Sequence, residues 1–166
     1  MKEIPLTKGL VAIVDDEDYD FINQFKWCAD DRGGYCRAMR GIHCGKKYTT
    51  QRMHRLLLNP PKGMEVDHIN HNGLDNRRCN LRICTHAQNQ HNQQKQRRRK
   101  LSQFKGVSLA GTDVKWRAFI HLDSRFLSLG YFHSEIDAAK AYDEAAKKYH
   151  GEFANLNFSG SRIGGW

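Results

Sequence analysis

The chain has 166 residues, a formal charge of +9 and 39% hydrophobic residues, with an isoelectric point near 9.5. That length admits one ordinary domain or two small ones, the lack of a long apolar run excludes a membrane-spanning reading, and the cationic excess favours a polyanionic partner. The five cysteines, Cys28, Cys36, Cys44, Cys79 and Cys84, include no CxxC pair, which argues against structural zinc, and with no signal-peptide pattern the chain is expected to be cytoplasmic with reduced thiols.

Residues 1–58 read as strand-rich. Leu10 to Val14 is an apolar run stopped by the acidic Asp15 to Asp18, after which Tyr19, Ile22 and Phe25 recur at helical spacing. Tyr35 to Arg40 and Tyr48 to Met53 alternate, with turn signals at Gly33-Gly34 and Gly45, so a small antiparallel sheet is predicted. Such a sheet would offer Arg37, Arg40, Lys46, Lys47 and Arg52 to a phosphate backbone, with a merely solvated charged face as the competing reading.

The segment VDHINHNGLDNRRCNLRICTHAQNQHN, Val66 to Asn92, concentrates chemistry. Asp67 and His68 are adjacent, so on a strand they point to opposite sides and can serve different partners. Asn80 lies 12 positions after His68, and Asn89 lies 22 after Asp67 in a stretch that reads as helical. A strand, a loop, a strand and a helix are expected to converge here. Cleaving a phosphodiester needs an activated water, charge neutralisation on the phosphate and help for the leaving oxygen, and one hard cation covers the last two. A carboxylate from Asp67 and an amide oxygen from Asn89 suffice for Mg²⁺, which keeps several of its waters. His68 is then the general base, with Asn80 placed to orient it directly or through the loop backbone. Each residue alone has a structural reading, because Asn in loops and turns such as Asn72-Gly73 are common in polar segments.

The strings Asp67-His68-Ile69, Asn72, Asn76-Arg77, Asn80-Leu81-Arg82 and Thr85 with Asn89 resemble the HNH nuclease family, in its phage and homing-endonuclease branch. The upstream Met53-His54-Arg55-Leu56 and the Pro60 to Val66 approach are similar to that branch as well. The resemblance implies a ββα-metal finger in which His68 is the base, Asp67 and Asn89 bind the divalent cation and Asn80 orients the base. It also makes the nearby Arg52, Arg55, Arg77 and Arg82 candidate DNA contacts. Two departures stand out: His71 replaces a frequent Gly, and Asn89 takes the place of the family's final His, with His86 and His91 nearby.

Lys95 to Lys100 reads KQRRRK, five of six basic, and such a block is extended, which suits a linker over residues 95–101 whose Arg97, Arg98 and Arg99 follow phosphates. From Ser102 the pattern changes. Three short strands are predicted over Gly106 to Leu109, Lys115 to Leu122 and Phe126 to Tyr131, turning at Gly111-Thr112-Asp113 and Asp123-Ser124. A helix follows, with Ser134 as N-cap, Ile136, Ala139, Tyr142, Ala146 and Tyr149 on one apolar face, and Gly151 as its stop. By strand parity Val107, Ala118 and Ile120 face the helix while Lys105, Arg117, Phe119 and His121 face out, joined by Arg125 and Ser128; Trp116 reads as core.

The strings Phe104-Lys105-Gly106-Val107, Lys115 to Ile120, Leu129-Gly130-Tyr131-Phe132, Ala138 to Ala146 and Gly151 with Asn157-Phe158 resemble the AP2/ERF DNA-binding domain. The resemblance implies a three-stranded sheet laid in a DNA major groove. Many outward positions that carry Arg and Trp in plant members are here Ser108, Phe119, His121, Phe126 and Ser128, so their sequence preference does not transfer.

The composite expectation is an α+β protein. Residues 1–94 form a nuclease domain, with a β scaffold over 1–58 and a ββα-metal finger over 64–94; residues 95–101 form the linker, 102–158 the AP2-like module and 159–166 a tail. The expected activity is hydrolysis of duplex DNA by a monomeric HNH-type endonuclease that uses Mg²⁺, Mn²⁺ or another divalent cation and no small-molecule cofactor or membrane. The pairing suggests a bacteriophage or mobile-element enzyme of homing type, at work in the host cytoplasm. The alternative is a DNA-binding regulator whose HNH-like fold is inactive.

Overall fold

The computed structural model describes residues 1–31, 35–45, 47–94, 101–111, 115–122 and 125–158. The expected turns at Gly33-Gly34, Thr112-Asp113 and Asp123-Ser124, the contact at Lys46, the basic run with Arg97, Arg98 and Arg99, and the 159–166 tail lie outside the described residues. The chain divides into two units, Met1–Asn89 and Gln90–Trp166.

A hairpin opens the first unit: β1 (Lys2–Pro5) pairs antiparallel with β2 (Val11–Val14), burying Ile4, Ala12 and Val14. Asp16, Glu17 and Asp18 occupy the first turn of α1 (Asp16–Ile22), where carboxylates meet the positive end of the peptide dipoles. The apolar spacing reached Phe25, yet the helix ends at Ile22, whose carbonyl accepts 2.9 Å from the buried Trp27 indole. A three-stranded antiparallel sheet follows, ordered β3 (Cys28–Asp30), β4 (Arg37–Cys44), β5 (Lys47–Arg52). Met53 does not end the last strand but starts α2 (Met53–Leu58). Met53 and Leu57, one turn apart, both enter the core, and burial worth roughly 1.5–3 kcal/mol for each such side chain decides in favour of the helix. Asn59 closes it in the left-handed region, φ 41°, just before Pro60-Pro61.

β6 (Glu65–His68) and β7 (Leu81–Cys84) pair antiparallel with Asp67 opposite Arg82 and His68 opposite Leu81, and α3 (His86–Asn92) follows. The expected strand, loop, strand and helix are all present. The loop between them is docked by residues far away in the chain. Ile13 N donates to Leu74 O at 2.8 Å and Asn76 N to Ile13 O at 2.7 Å. Arg78 meets both Asp18 oxygens at 2.7–2.8 Å, and its amide donates to Asp15. Gly73 lies so close to the Cys36 carbonyl that a Cβ would collide with it. The acidic segment that ends the first hairpin is therefore an anchor for the finger.

In the second unit β8 (Val107–Ala110), β9 (Lys115–Leu122) and β10 (Arg125–Phe132) form an antiparallel sheet ordered β10-β9-β8. Val107, Ala118 and Ile120 are buried, and Trp116 packs on the same side. The helix α4 (Glu135–His150) begins at Ser134, whose hydroxyl accepts from the Asp137 amide at 3.4 Å, and stops at Gly151, φ 54°. Its buried face is Ala138, Ala139, Tyr142, Ala145 and Ala146, while Ile136 and Tyr149 are half exposed, so the apolar stripe is rotated from the one expected. Small alanines bring the helix close enough that Gly106, φ 70°, has no room for a Cβ beside the Tyr142 ring and the Phe119 carbonyl. Among the described residues no helix is long and apolar enough to cross a membrane.

Candidate active site

A cavity of about 130 Å³ in the first unit is lined by Glu65, Asp67 and His68 of β6, Asn89 of α3, His54 and Arg55 of α2, Arg52 of β5, Arg37 at the start of β4 and Tyr35 just before it. Three of the four residues that the motif chemistry selects share this wall: Asp67, His68 and Asn89.

His68 is 3% exposed. Its Nε2 lies 3.4 Å from Asn76 Oδ1, and the Asn76 amide is oriented by its own donor, since Nδ2 bonds to Leu74 O at 3.1 Å. A carboxamide oxygen only accepts, so Nε2 carries the proton of the neutral ring and Nδ1 keeps the lone pair. Burial pulls His68 below the ordinary imidazole range, against the opposing pull of the Asn76 hydrogen bond. The ring is therefore uncharged at neutral pH and ready to accept a proton. Asn80 does not touch this ring. Its Oδ1 accepts from Asn70 N at 3.0 Å and its Nδ2 donates to Asp75 O at 2.8 Å, so it ties the loop together next to Asn76.

Asp67 accepts at Oδ2 from Arg82 Nε at 3.0 Å and Nη2 at 2.9 Å. Asn89 donates through Nδ2 to Glu65 Oε2, whose other oxygen meets His86 Nδ1 at 2.8 Å. The Asn89 bond first, then His86, hold the Glu65 carboxyl below the usual carboxylate range. Asp67 and Asn89 both line this cavity, and a carboxylate and a carboxamide are donor types that suit Mg²⁺. Among the described residues no group of three His, Cys, Asp or Glu is gathered to hold an ion. A cation here would therefore rest on the mixed pair and retain most of its water.

Of the basic candidates, Arg52 and Arg55 line the cavity, and Arg55 also donates to Met64 O at 3.1 Å. Arg77 and Arg82 do not present free guanidinium groups. Arg77 forks onto Asp75 at 2.7–2.8 Å, and Arg82 is paired with Asp67. Glu65 is an addition to the motif residues and shares strand parity with Asp67; Asn76 and His54 lie in the strings that carry the resemblance, but only the loop contacts and the helix α2 bring them to the site.

In the second unit Arg117, Phe119 and His121 lie on the sheet face away from the helix. Phe119 stacks on Phe126 at 5.2 Å, and the Arg117 guanidinium lies 4.4 Å over the Phe126 ring. Ser128 pairs with Phe119 and shares that face, but Arg125 pairs with Leu122, on the helix-side parity, and is exposed at the strand end. Lys105 is a clearer correction. Its ammonium donates to His91 O at 2.6 Å and Gln93 O at 2.7 Å, and burial brings it down to about 8. The left-handed Gly106 interrupts the alternation that had turned Lys105 outward.

Residues 59–91 match the family model described as HNH endonuclease. Over 152 residues the chain is 28% identical to an uncharacterized HNH endonuclease of Acanthamoeba polyphaga mimivirus, covering 90% of this chain and 76% of that protein. Residues 59–91 thus match an HNH endonuclease domain, and that likeness suggests nuclease activity.

Proposed function

We propose that the chain is a divalent-metal-dependent endonuclease that hydrolyses phosphodiester bonds in duplex DNA, with the second unit acting as an AP2-like module that holds it on its target. One observation carries this reading: the buried His68, with Nε2 against Asn76 Oδ1, shares a cavity with Asp67, Asn89 and three arginines. His68 accepts a proton from water through Nδ1, the resulting hydroxide oxygen bonds to phosphorus, and the bond to the 3′ oxygen breaks, that oxygen taking up a proton from solvent water. Asn76 accepts from Nε2–H before and after the transfer, so the incoming proton is received at Nδ1. Arg37, Arg52 and Arg55 balance phosphate charge along the wall. Asp67 and Asn89 would hold the cation, which when bound supplies charge neutralisation on the phosphate and relief for the departing oxygen.

Phosphate contacts position a protein while base-edge contacts specify sequence, and the two-unit division suits that separation. Carriage by a phage or mobile element, as a homing-type enzyme, belongs to the same reading. A binding-only regulator has one observation in its favour: Arg82 already occupies the carboxylate that the ion needs. Supercoiled plasmid incubated with the protein and Mg²⁺ separates the two. Open-circle or linear product that EDTA suppresses supports the nuclease, and intact plasmid supports the regulator. His68→Ala should abolish product while leaving DNA affinity nearly unchanged; undiminished cutting by that variant removes the base.

A further inference from the structure

His54 is not used by the reaction above. It is 3% exposed, and its Nδ1 is sealed from solvent without a hydrogen-bond partner. The ring nonetheless lines the cavity and packs edge to face on His68, with centroids 4.9 Å apart at 84°. Burial first, then coupling to the neighbouring His68 ring and the positive charges of Arg52, Arg37 and Arg55, pull it down to about 2, so the ring is uncharged under working conditions. A neutral imidazole has one N–H. Placing that proton on Nδ1 would bury an unpaired donor, whereas an unpaired acceptor is the more readily tolerated orphan. The proton therefore belongs on Nε2, the nitrogen left to meet the cavity.

We infer that His54 donates a neutral hydrogen bond from Nε2 to a non-bridging phosphate oxygen of bound DNA, seated among Arg37, Arg52 and Arg55. The inference rests on the nuclease reading only for the cavity being where a DNA strand lies. Three guanidinium groups line the cavity beside two carboxylates that are already held, Asp67 by Arg82 and Glu65 by Asn89 and His86; that excess calls for an anion, and a ring that cannot charge adds direction without adding to the arginines' mutual repulsion. If His54 served packing alone, an apolar side chain would fill its place with no orphaned nitrogen.

The test uses the full chain in EDTA, with a labelled duplex followed by fluorescence anisotropy, for the wild type, His54→Leu and His54→Gln. The Leu variant should melt at or above the wild-type temperature, having lost a buried unsatisfied atom, and should bind DNA about tenfold or more weakly, the scale of a hydrogen bond to a charged acceptor. Gln places an amide nitrogen where Nε2 sits, and should stay within about threefold of the wild type. Leu and Gln variants that both bind like the wild type, or that lose affinity equally, overturn the inference. Should the Leu variant fail to fold, His54→Asn replaces it. Its amide reaches only the sealed Nδ1 position, so affinity equal to that of the Gln variant overturns the inference, and weaker binding supports it. Failure of the nuclease reading is separable. Plasmid left intact by the wild type, with the Leu and Gln difference present, removes the cutting and keeps the phosphate contact, whereas cutting with no such difference removes the contact alone.

Discussion

Replacing Arg82 with Met should make the first unit depend on a divalent cation for its stability. Arg82 and Asp67 form a buried pair, with side chains 13% and 7% exposed and two hydrogen bonds of 2.9–3.0 Å. Removing one member of a buried ion pair typically costs about 3–5 kcal/mol; the solvent access around Arg82 and the other groups around Asp67 argue for the lower end. For a unit of this size 1 kcal/mol corresponds to about 4–8 °C, so a loss of about 3 kcal/mol lowers the melting temperature by about 12–24 °C in EDTA. A cation on Asp67 replaces the lost positive charge. At a concentration 100-fold above its Kd it returns about 2.7 kcal/mol, close to the whole deficit. In the wild type the ion must first draw Asp67 away from Arg82 or share it, so the same Mg²⁺ series should raise that melting temperature less. Differential scanning calorimetry across a Mg²⁺ series reads both effects. Equal Mg²⁺ increments in the two proteins, or an EDTA melting temperature unchanged by the substitution, would refute the claim that the guanidinium and the ion compete for one carboxylate.

Asn76→Ala should lower single-turnover cleavage about 3- to 10-fold, the worth of about 1 kcal/mol in ring orientation. It also removes the contact that raises His68, so the acid limb of kcat/KM, already below about pH 6.5 because the base is neutral when buried, moves lower still. A rate and pH profile equal to the wild type would remove Asn76 from the site. His54 is held neutral in the fold but charges in the unfolded chain, so the unfolded state binds the extra proton and stability falls as pH drops below about 6.5. By pH 4.5 that single group costs roughly 3 kcal/mol, so urea denaturation of His54→Leu should show a shallower acid loss than the wild type. Parallel pH curves would contradict it. Deleting residues 102–166 should weaken DNA binding and flatten its salt dependence more than it slows the chemical step at saturating DNA. Unchanged affinity after the deletion rejects the tethered module.

What was legible in the chain follows from the range of the interactions involved. β6, β7 and α3 were readable because their signals are local: alternation around Asp67-His68, an Asn-Gly turn and a polar helical stretch after Thr85. Ser134 and Gly151 punctuate α4 for the same reason. Misreadings arise where a tertiary contact outvotes a local preference. Met53 looks like the end of an alternating strand, yet the core accepts Met53 and Leu57 together and winds the segment into α2, which is what carries His54 to the cavity. Arg82 looks like a free cation until the β6-β7 register sets it opposite Asp67. The orienting role shows the difference most sharply. Asn76 and Asn80 are indistinguishable by residue type, and four positions separate them, but Ile13 of β2 grips the backbone of Asn76 while Leu74 turns its amide, so the oxygen reaches His68. Asn80, bonded to Asn70 and Asp75, secures the loop that makes this possible. Side-chain chemistry was therefore recoverable from residue types, whereas the assignment of roles among like residues depended on contacts such as Arg78 with Asp18, made between segments 60 positions apart.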